Sequence, residues 1–471
     1  MKLEVLSKEE CAVIHAAALK VLEETGVKVE HEVVRQRLLE AGAKEAARAD
    51  VLLFPSKMVK EYLALAPSRL RFATMAGEVR EFGPESFPVF WTAAGLNILD
   101  NGLKRPTKEA DMAAVARISE ELASVFAVVG ISIGEYPPFA RDFAGFRIIA
   151  ENTTKHIRPV IFTPRGIEAF IEMAQALLGS TPIREKPIFS LGYCILSPLH
   201  WGRSALEVFL RSSGHGIPIM INSEPTGGAT SPVTLAGTTV VTDAEEISGI
   251  VICQVLEPGR PCLYNSGFTH VLDMRTASVV TGGPENALFG AICSAMAKYH
   301  GFVSASWMCT DSPVDDEQAS YEKALTGLSH ALSGVNMIWG VGQLEAEMTL
   351  SLPQFVVDDE VAGMAQRICR GVRADEDSLA LDLVLERGPA SEYLSTEHTL
   401  QRFRSELYEP RLSQRARRQR WEELGAKDTL ARARERVADI LARRDEPLLD
   451  PARSRELRRI EKQWLDRLSR A

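Results

Sequence analysis

Between Pro88 and Glu345 the chain repeats one pattern eight times: a short apolar run, a small or polar tip, then a stretch of helical periodicity. The runs are residues 88–95, 125–134, 158–164, 187–198, 217–224, 261–270, 303–312 and 335–345. Helical patterns fall between them at 108–122, 142–151, 167–178, 203–213, 234–256, 285–299 and 317–332, and after the last run at 358–370. Runs such as PIFSLGYCILSP and IPIMINSE do not alternate apolar with polar residues. A strand loses that alternation when both of its faces are buried, as in a parallel sheet covered by helices. Eight such units predict an α/β fold, a closed (β/α)8 (TIM) barrel. An open doubly wound sheet is the rival, weakened by the absence of a GxGxxG turn after the first run.

The flanks read differently. Residues 8–24, 32–41 and 55–66 have helical patterns, the last stopped by Pro67, so 1–85 is expected to be an N-terminal helical cap region, 86–375 the barrel and 376–471 a largely helical extension with a basic tail. From Arg411 to Ala471 there are 18 Lys/Arg against 11 Asp/Glu, a net of +7, which leaves −16 for the rest of a chain whose net charge is −9. In RARERVADILARRDE the arginines interleave with acids at helical spacing, which predicts a charged helix braced on the acidic body rather than a nucleic-acid surface. The seven cysteines include no CxxC pair and most sit in apolar runs, as reduced core thiols of a cytoplasmic protein do. No apolar run approaches the ~20 residues of a membrane span. Self-association through the helical ends is expected.

Barrel enzymes build their sites from residues at the C-terminal ends of the strands. Those tips carry no His-x-His, no His/Cys set at metal spacing and no Schiff-base lysine, so no bound metal is expected and no catalytic acid/base residue is identified. What the tips offer is aromatic and neutral polar surface with a few carboxylates. Trp91, Trp201, Phe268, Trp307 and Trp339 fall on or just after predicted strands, beside Asn222, Glu224, His270, Gln343 and Glu345. Aromatic faces beside carboxylates suit an organic cation better than an anion. Asp358, Asp359 and Glu360 are expected to open the last barrel helix and to interact with its N-terminal dipole.

Several stretches in one order resemble the trimethylamine methyltransferase (MttB-type) superfamily, in its pyrrolysine-free branch that includes glycine betaine methyltransferases. They are Ser197-Pro198-Leu199, GGATSPVTLAGTTV (227–240), GGPENALFGA (282–291), SYEKALTGLSHALSGVN (320–336), GQLEAEMTLS with FVVDDEVAGM (342–364) and YLSTEHTLQRFRSELYEPRL (393–412). The resemblance implies a barrel that moves a methyl group from a quaternary amine, glycine betaine or a betaine- or carnitine-type compound, to the Co(I) of a separate corrinoid-binding protein. It implies no permanently bound cofactor, the corrinoid (cob(I)alamin) being presented by that partner. Pyrrolysine-containing relatives hold that residue in the site; the corresponding position here is expected within 339–349, where all residues are ordinary. A quaternary ammonium leaves as a neutral tertiary amine without protonation, so the transfer needs no general acid. Trp91, Trp201, Phe268, Trp307 and Trp339 are then the pool for an ammonium cage, Glu224 and Glu345 the counter-charges, and Asn222, His270 and Gln343 the partners of a substrate carboxylate. A barrel lyase or isomerase, and a non-catalytic binding protein, are the alternatives.

Overall fold

The computed structural model describes residues 3–444 and 446–470. Eight parallel strands form one sheet: β1 (Val89–Thr92), β2 (Val125–Val129), β3 (His156–Arg158), β4 (Leu191–Cys194), β5 (Ile219–Asn222), β6 (Cys262–Asn265), β7 (Ser304–Trp307) and β8 (Met337–Val341). Their order is β3-β2-β1-β8-β7-β6-β5-β4. A single bridge between Ile157 and Phe189 joins β3 to the approach of β4 and closes the ring. Seven of the eight predicted apolar runs contain one of these strands whole, and the third, 158–164, begins only at the last residue of β3, so the (β/α)8 barrel is as expected with one strand earlier than its run.

The outer helices are α1 (Glu109–Glu121), α2 (Arg141–Asn152), α3 (Ile167–Leu178), α4 (Arg203–Arg211), α5 (Leu235–Leu256), α6 (Pro284–His300), α7 (Glu317–Ser333) and α8 (Leu352–Cys369). One expectation is corrected. α8 starts at Leu352, where the Ser351 side chain accepts the Gln354 amide and Pro353 occupies the first turn. Asp358, Asp359 and Glu360 are therefore buried in mid-helix, where none of them faces the N-terminal dipole. Serine as cap and proline in the first turn are the signals that outrank an acidic run as a start.

The N-terminal flank has the expected helices, Lys8–Glu24, Glu32–Glu40 and Ser56–Leu63, but also strands too short to show periodicity. Val27–Val29 pairs in parallel with His200–Trp201, the segment that follows β4. A hairpin of Leu70–Ala73 and Val79–Phe82 packs Phe72 and Phe82 against the interior of the barrel, where Trp91, Phe126, Met220, Leu263, Ala305 and Met337 meet. The barrel interior is thus filled from its N-terminal side.

His15 on the first helix, with His300 on α6, holds the buried Asp243 of α5 at 3.1 and 2.8 Å, and the Tyr264 hydroxyl donates to the same carboxylate. Burial alone raises Asp243, but His300 and His15 outweigh it and hold the carboxyl well below its ordinary range. The basic tail lies on the barrel. Helix Thr429–Arg443 buries Ala433, Val437 and Ile440, and helix Pro451–Ser469 buries Leu457, Ile460 and Trp464 while Arg458 pairs with Glu151 and Glu461 with Arg147. All seven cysteines are unpaired, and among the described residues no helix is long and apolar enough to cross a membrane.

Candidate active site

A cavity of about 430 Å³ opens at the C-terminal ends of the strands, between β3, β4, β5 and β8. Arg158, the last residue of β3, points inward at its base. Its guanidinium carbon lies 5.3 Å from the centre of the Trp339 ring across the barrel. Gly192 on the adjacent β4 makes room for it, since a Cβ there would stand 2.7 Å from Arg158 Nη2. Only 7% of Arg158 is exposed, its Nε has no hydrogen-bond partner, and among the described residues it makes no ion pair.

The next layer outward holds Cys194 and Asn222, which face each other in register on β4 and β5. Asn222 donates to Cys194 Sγ at 3.5 Å and accepts from Asn265 at 2.8 Å, so its amide is fixed by the neighbouring strand ends. Beyond the end of β5, Glu224 enters the cavity wall, its amide held by Ser197 Oγ at 3.2 Å. That serine in turn donates to the buried Glu245. Burial raises the Glu224 carboxyl above its ordinary range, against a hydrogen bond from Cys194. Burial and then the Glu224 charge push the Cys194 thiol well up, so this cysteine is a neutral donor and not a thiolate.

The opposite wall comes from a hairpin after β8. Residues 343–344 pair with 349–350, and the turn between them holds Glu345, Ala346 and Glu347 at φ of 53°, 50° and 72°. Three successive non-glycine residues in the left-handed region are costly and persist only where their surroundings fix them. Here Ser312 and Thr310 carbonyls accept the amides of Glu345 and Ala346, and Gln343 Oε1 accepts that of Glu347. The turn delivers Glu347 into the cavity. Burial pushes its carboxyl up to about 7; Arg158 opposes the rise and the charge of Glu224 adds to it.

The ten residues selected from the sequence separate into groups. Asn222, Glu224, Phe268 and Trp339 line the cavity. Trp91 and Trp307 belong to the barrel interior beneath it, Trp307 stacked on Trp339 at 6.0 Å. One face of Trp339 is taken by Arg158, which leaves Phe268, 4.8 Å from the Trp339 ring, as the more available aromatic surface. His270 packs against Trp307 and is kept neutral, since burial lowers it to about 4 against the pull of Asp311. Gln343 supports the Glu347 amide. Glu345 faces outward and is paired with Lys104 at 2.7 Å. Trp201 lies outside the barrel under α5, its indole donating to Ser248. Arg158, Cys194 and Glu347 were not selected. Arg158 reads as the polar start of an apolar run; Glu347 stands in the 339–349 stretch singled out by resemblance, but no periodicity marks which of its side chains turns inward.

Residues 1–464 match the model of the family described as trimethylamine methyltransferase (MTTB). Among similar proteins, a trimethylamine methyltransferase MttB of Desulfitobacterium hafniense is 32% identical over 446 residues, covering 92% of this chain and 88% of that one. One from Methanosarcina barkeri is 31% identical over 466 residues, covering 94% and 91%. A glycine betaine methyltransferase of Desulfitobacterium hafniense is 29% identical over 459 residues, covering 96% and 95%. The crystal structure of the Methanosarcina barkeri monomethylamine methyltransferase superimposes with a TM-score of 0.57 at 13% identity, over 90% of this chain and 89% of that one, which is a likeness of fold.

Proposed function

The chain belongs to the trimethylamine methyltransferase (MTTB) family of methyltransferases, and on that premise we propose that it moves a methyl group from a quaternary amine to the Co(I) of a corrinoid carried by a cognate protein. Glycine betaine, or a related betaine- or carnitine-type compound, is the proposed methyl donor. The main support is the cavity itself, where Glu224 and Glu347 stand on two walls and Phe268 presents an aromatic face. Each contact between an N-methyl cation and such a face contributes ~0.5–2 kcal/mol.

The chain's own residues bind, orient and exclude water. Glu224 and ionised Glu347 supply the negative potential that holds a permanent cation, and the neutral His270 adds no competing positive charge. A quaternary amine departs without a proton, so the site needs no acid at the leaving nitrogen. The strand-end amides and the buttressed hairpin fix the walls, and a fixed wall is what turns bound substrate into aligned substrate. The mouth fits a broad apolar face, since Leu96, Phe162 and Met348 line it with exposed side chains. The corrinoid, when presented there by its partner, supplies the nucleophile that accepts the methyl group.

The test is incubation of the purified chain with a Co(I) corrinoid, free or on a candidate corrinoid protein, and with glycine betaine, proline betaine, carnitine or trimethylamine. Loss of the Co(I) absorbance with a betaine is the expected result; no loss with any of the four donors overturns the reading. A cytoplasmic location and self-association belong to the same proposal. Support for association comes from residues 372–407, where Leu379, Leu381, Leu385, Leu394, Leu400 and Leu407 are all exposed.

A further inference from the structure

We propose that Arg158 is the receptor for an anionic group of the substrate, a carboxylate, and that it orients the substrate with its anionic end at the base of the cavity and its N-methyl groups toward the mouth. This rests on the reading of the cavity as a quaternary-ammonium site.

A buried guanidinium without a partner is costly, and buried charges are ordinarily paired or hydrogen-bonded. The other deeply buried arginines obey this. Arg147 pairs with Glu109, Glu151 and Glu461. Arg260 donates to Phe209 O, Ser212 Oγ and Ile217 O. Arg158 is comparably buried, and among the described residues it has neither an ion pair nor a hydrogen-bond partner for Nε. The surroundings keep the cation there all the same. Trp339 faces the guanidinium, and glycine at 192 provides the space that any other residue would take. A planar, forked donor held open toward a cavity is matched by a carboxylate, which accepts two parallel N–H bonds.

The layering gives the orientation. Arg158 packs on Gly192, two residues before Cys194 on β4, whereas Glu224 and Glu347 extend beyond the ends of β5 and β8. The cationic receptor is therefore the deeper and the two carboxylates are nearer the mouth. A zwitterion with ammonium and carboxylate at opposite ends matches both levels at once. A simple cation such as choline meets the outer level only and leaves Arg158 unpaired.

Four probes of one shape separate the two ends. Glycine betaine has both charges, choline only the ammonium, 3,3-dimethylbutyrate only the carboxylate and 3,3-dimethylbutan-1-ol neither. Calorimetric titration of the full-length chain is expected to show glycine betaine binding at least about tenfold more tightly than choline, the worth of one charge-assisted contact. Arg158→Gln is expected to remove that preference and to abolish binding of 3,3-dimethylbutyrate, while leaving choline within about twofold. Glu224→Gln is expected to weaken choline and spare 3,3-dimethylbutyrate. Choline binding the native chain as tightly as glycine betaine overturns the proposal while leaving the ammonium site intact. Arg158-dependent binding of 3,3-dimethylbutyrate, with no gain from an ammonium, sustains the anion receptor and rejects the quaternary-amine reading instead. Equal binding of both carboxylate probes to Arg158→Gln and native chain overturns the proposal. Should that variant fail to fold, the comparison of glycine betaine with choline on the native chain decides alone.

Discussion

Lys323 of α7 and Asp358 of α8 form an ion pair with neither side chain exposed, Nζ lying 2.5 Å from Oδ2. The lysine also donates to the Gly340 and Gln343 carbonyls, and the aspartate accepts the Gly342 amide and the Gln354 side chain. Two outer helices are thereby tied to the end of β8 and the root of the hairpin that carries Glu347. Removing one partner strands a buried charge, so Lys323→Met is expected to cost ~3–5 kcal/mol in denaturant unfolding. The double variant Lys323→Met with Asp358→Leu is expected to recover a large part of that loss. Equal losses in the single and double variants would argue against a stranded charge as the cause.

Glu347 gives the cavity a pH dependence. With its carboxyl at about 7, raised by burial and by Glu224 against the pull of Arg158, it is mostly neutral below that pH and ionised above it. Affinity for tetramethylammonium, a cation with no titrating group, is therefore expected to rise as pH rises through about 7, and Glu347→Gln is expected to flatten the profile. Asp142 and Glu245, each pushed up to about 7 chiefly by burial, titrate in the same window. For all three the native state holds protons that the unfolded chain has released, so stability is expected to fall as pH rises from the ordinary carboxylate range toward 7. Binding isotherms and melting curves across that window check the two trends separately.

Trp201 and Phe268 are expected to respond in opposite ways to truncation. Trp201 is fully buried beneath α5, with Gly249 against its ring and Phe209 at 5.2 Å. Trp201→Ala is expected to lose ~3–5 kcal/mol of stability, as large aromatic deletions do, without changing ligand affinity in the folded fraction. Phe268→Ala is expected to weaken glycine betaine by ~0.5–2 kcal/mol. Calorimetry and thermal melts on both variants give the contrast.

The segment from Val372 to Leu407 carries exposed leucines on helices that bury nothing, Leu381–Arg387 and Glu397–Glu406 among them. A second copy of the chain is the proposed cover. Leu381→Glu with Leu385→Glu is expected to lower the mass found by light scattering to that of a monomer, with the far-ultraviolet spectrum unchanged. A native chain that is already monomeric at high concentration rejects this.

The barrel was legible because its strands are buried on both faces. That burial produces continuous apolar runs, eight of them, which no other soluble architecture repeats so regularly with helices between. The same burial hides the inward parity of each strand. Trp91, Trp307 and Trp339 are equally apolar in context, yet only Trp339 reaches the cavity. Arg158 was illegible for the complementary reason: a charged residue at the edge of an apolar run looks like a boundary, and only the glycine across from it shows that it turns inward. Glu347 depends on a left-handed turn made without glycine, which leaves no compositional mark. Trp201 was misjudged in position because a two-residue strand pulls it outward to pair with Val27–Val29, a pairing with no periodicity to read.

The closure of the barrel is its least redundant joint. Between β3 and β4 the ring is held by the Ile157–Phe189 bridge, with two backbone hydrogen bonds, Ile157 N to Ile188 O and Ser190 N to Ile157 O, whereas β4 and β5 share four residues in register. This seam runs directly below Arg158 and Gly192. Changing the girth of the cavity there gives up two hydrogen bonds, while changing it elsewhere unzips a ladder. The amides of Ile157 and Ser190 should accordingly exchange with solvent sooner than those of β5 and β6. Donors of different bulk can then be accommodated by widening one slit beside the guanidinium while the two outer carboxylates keep their places.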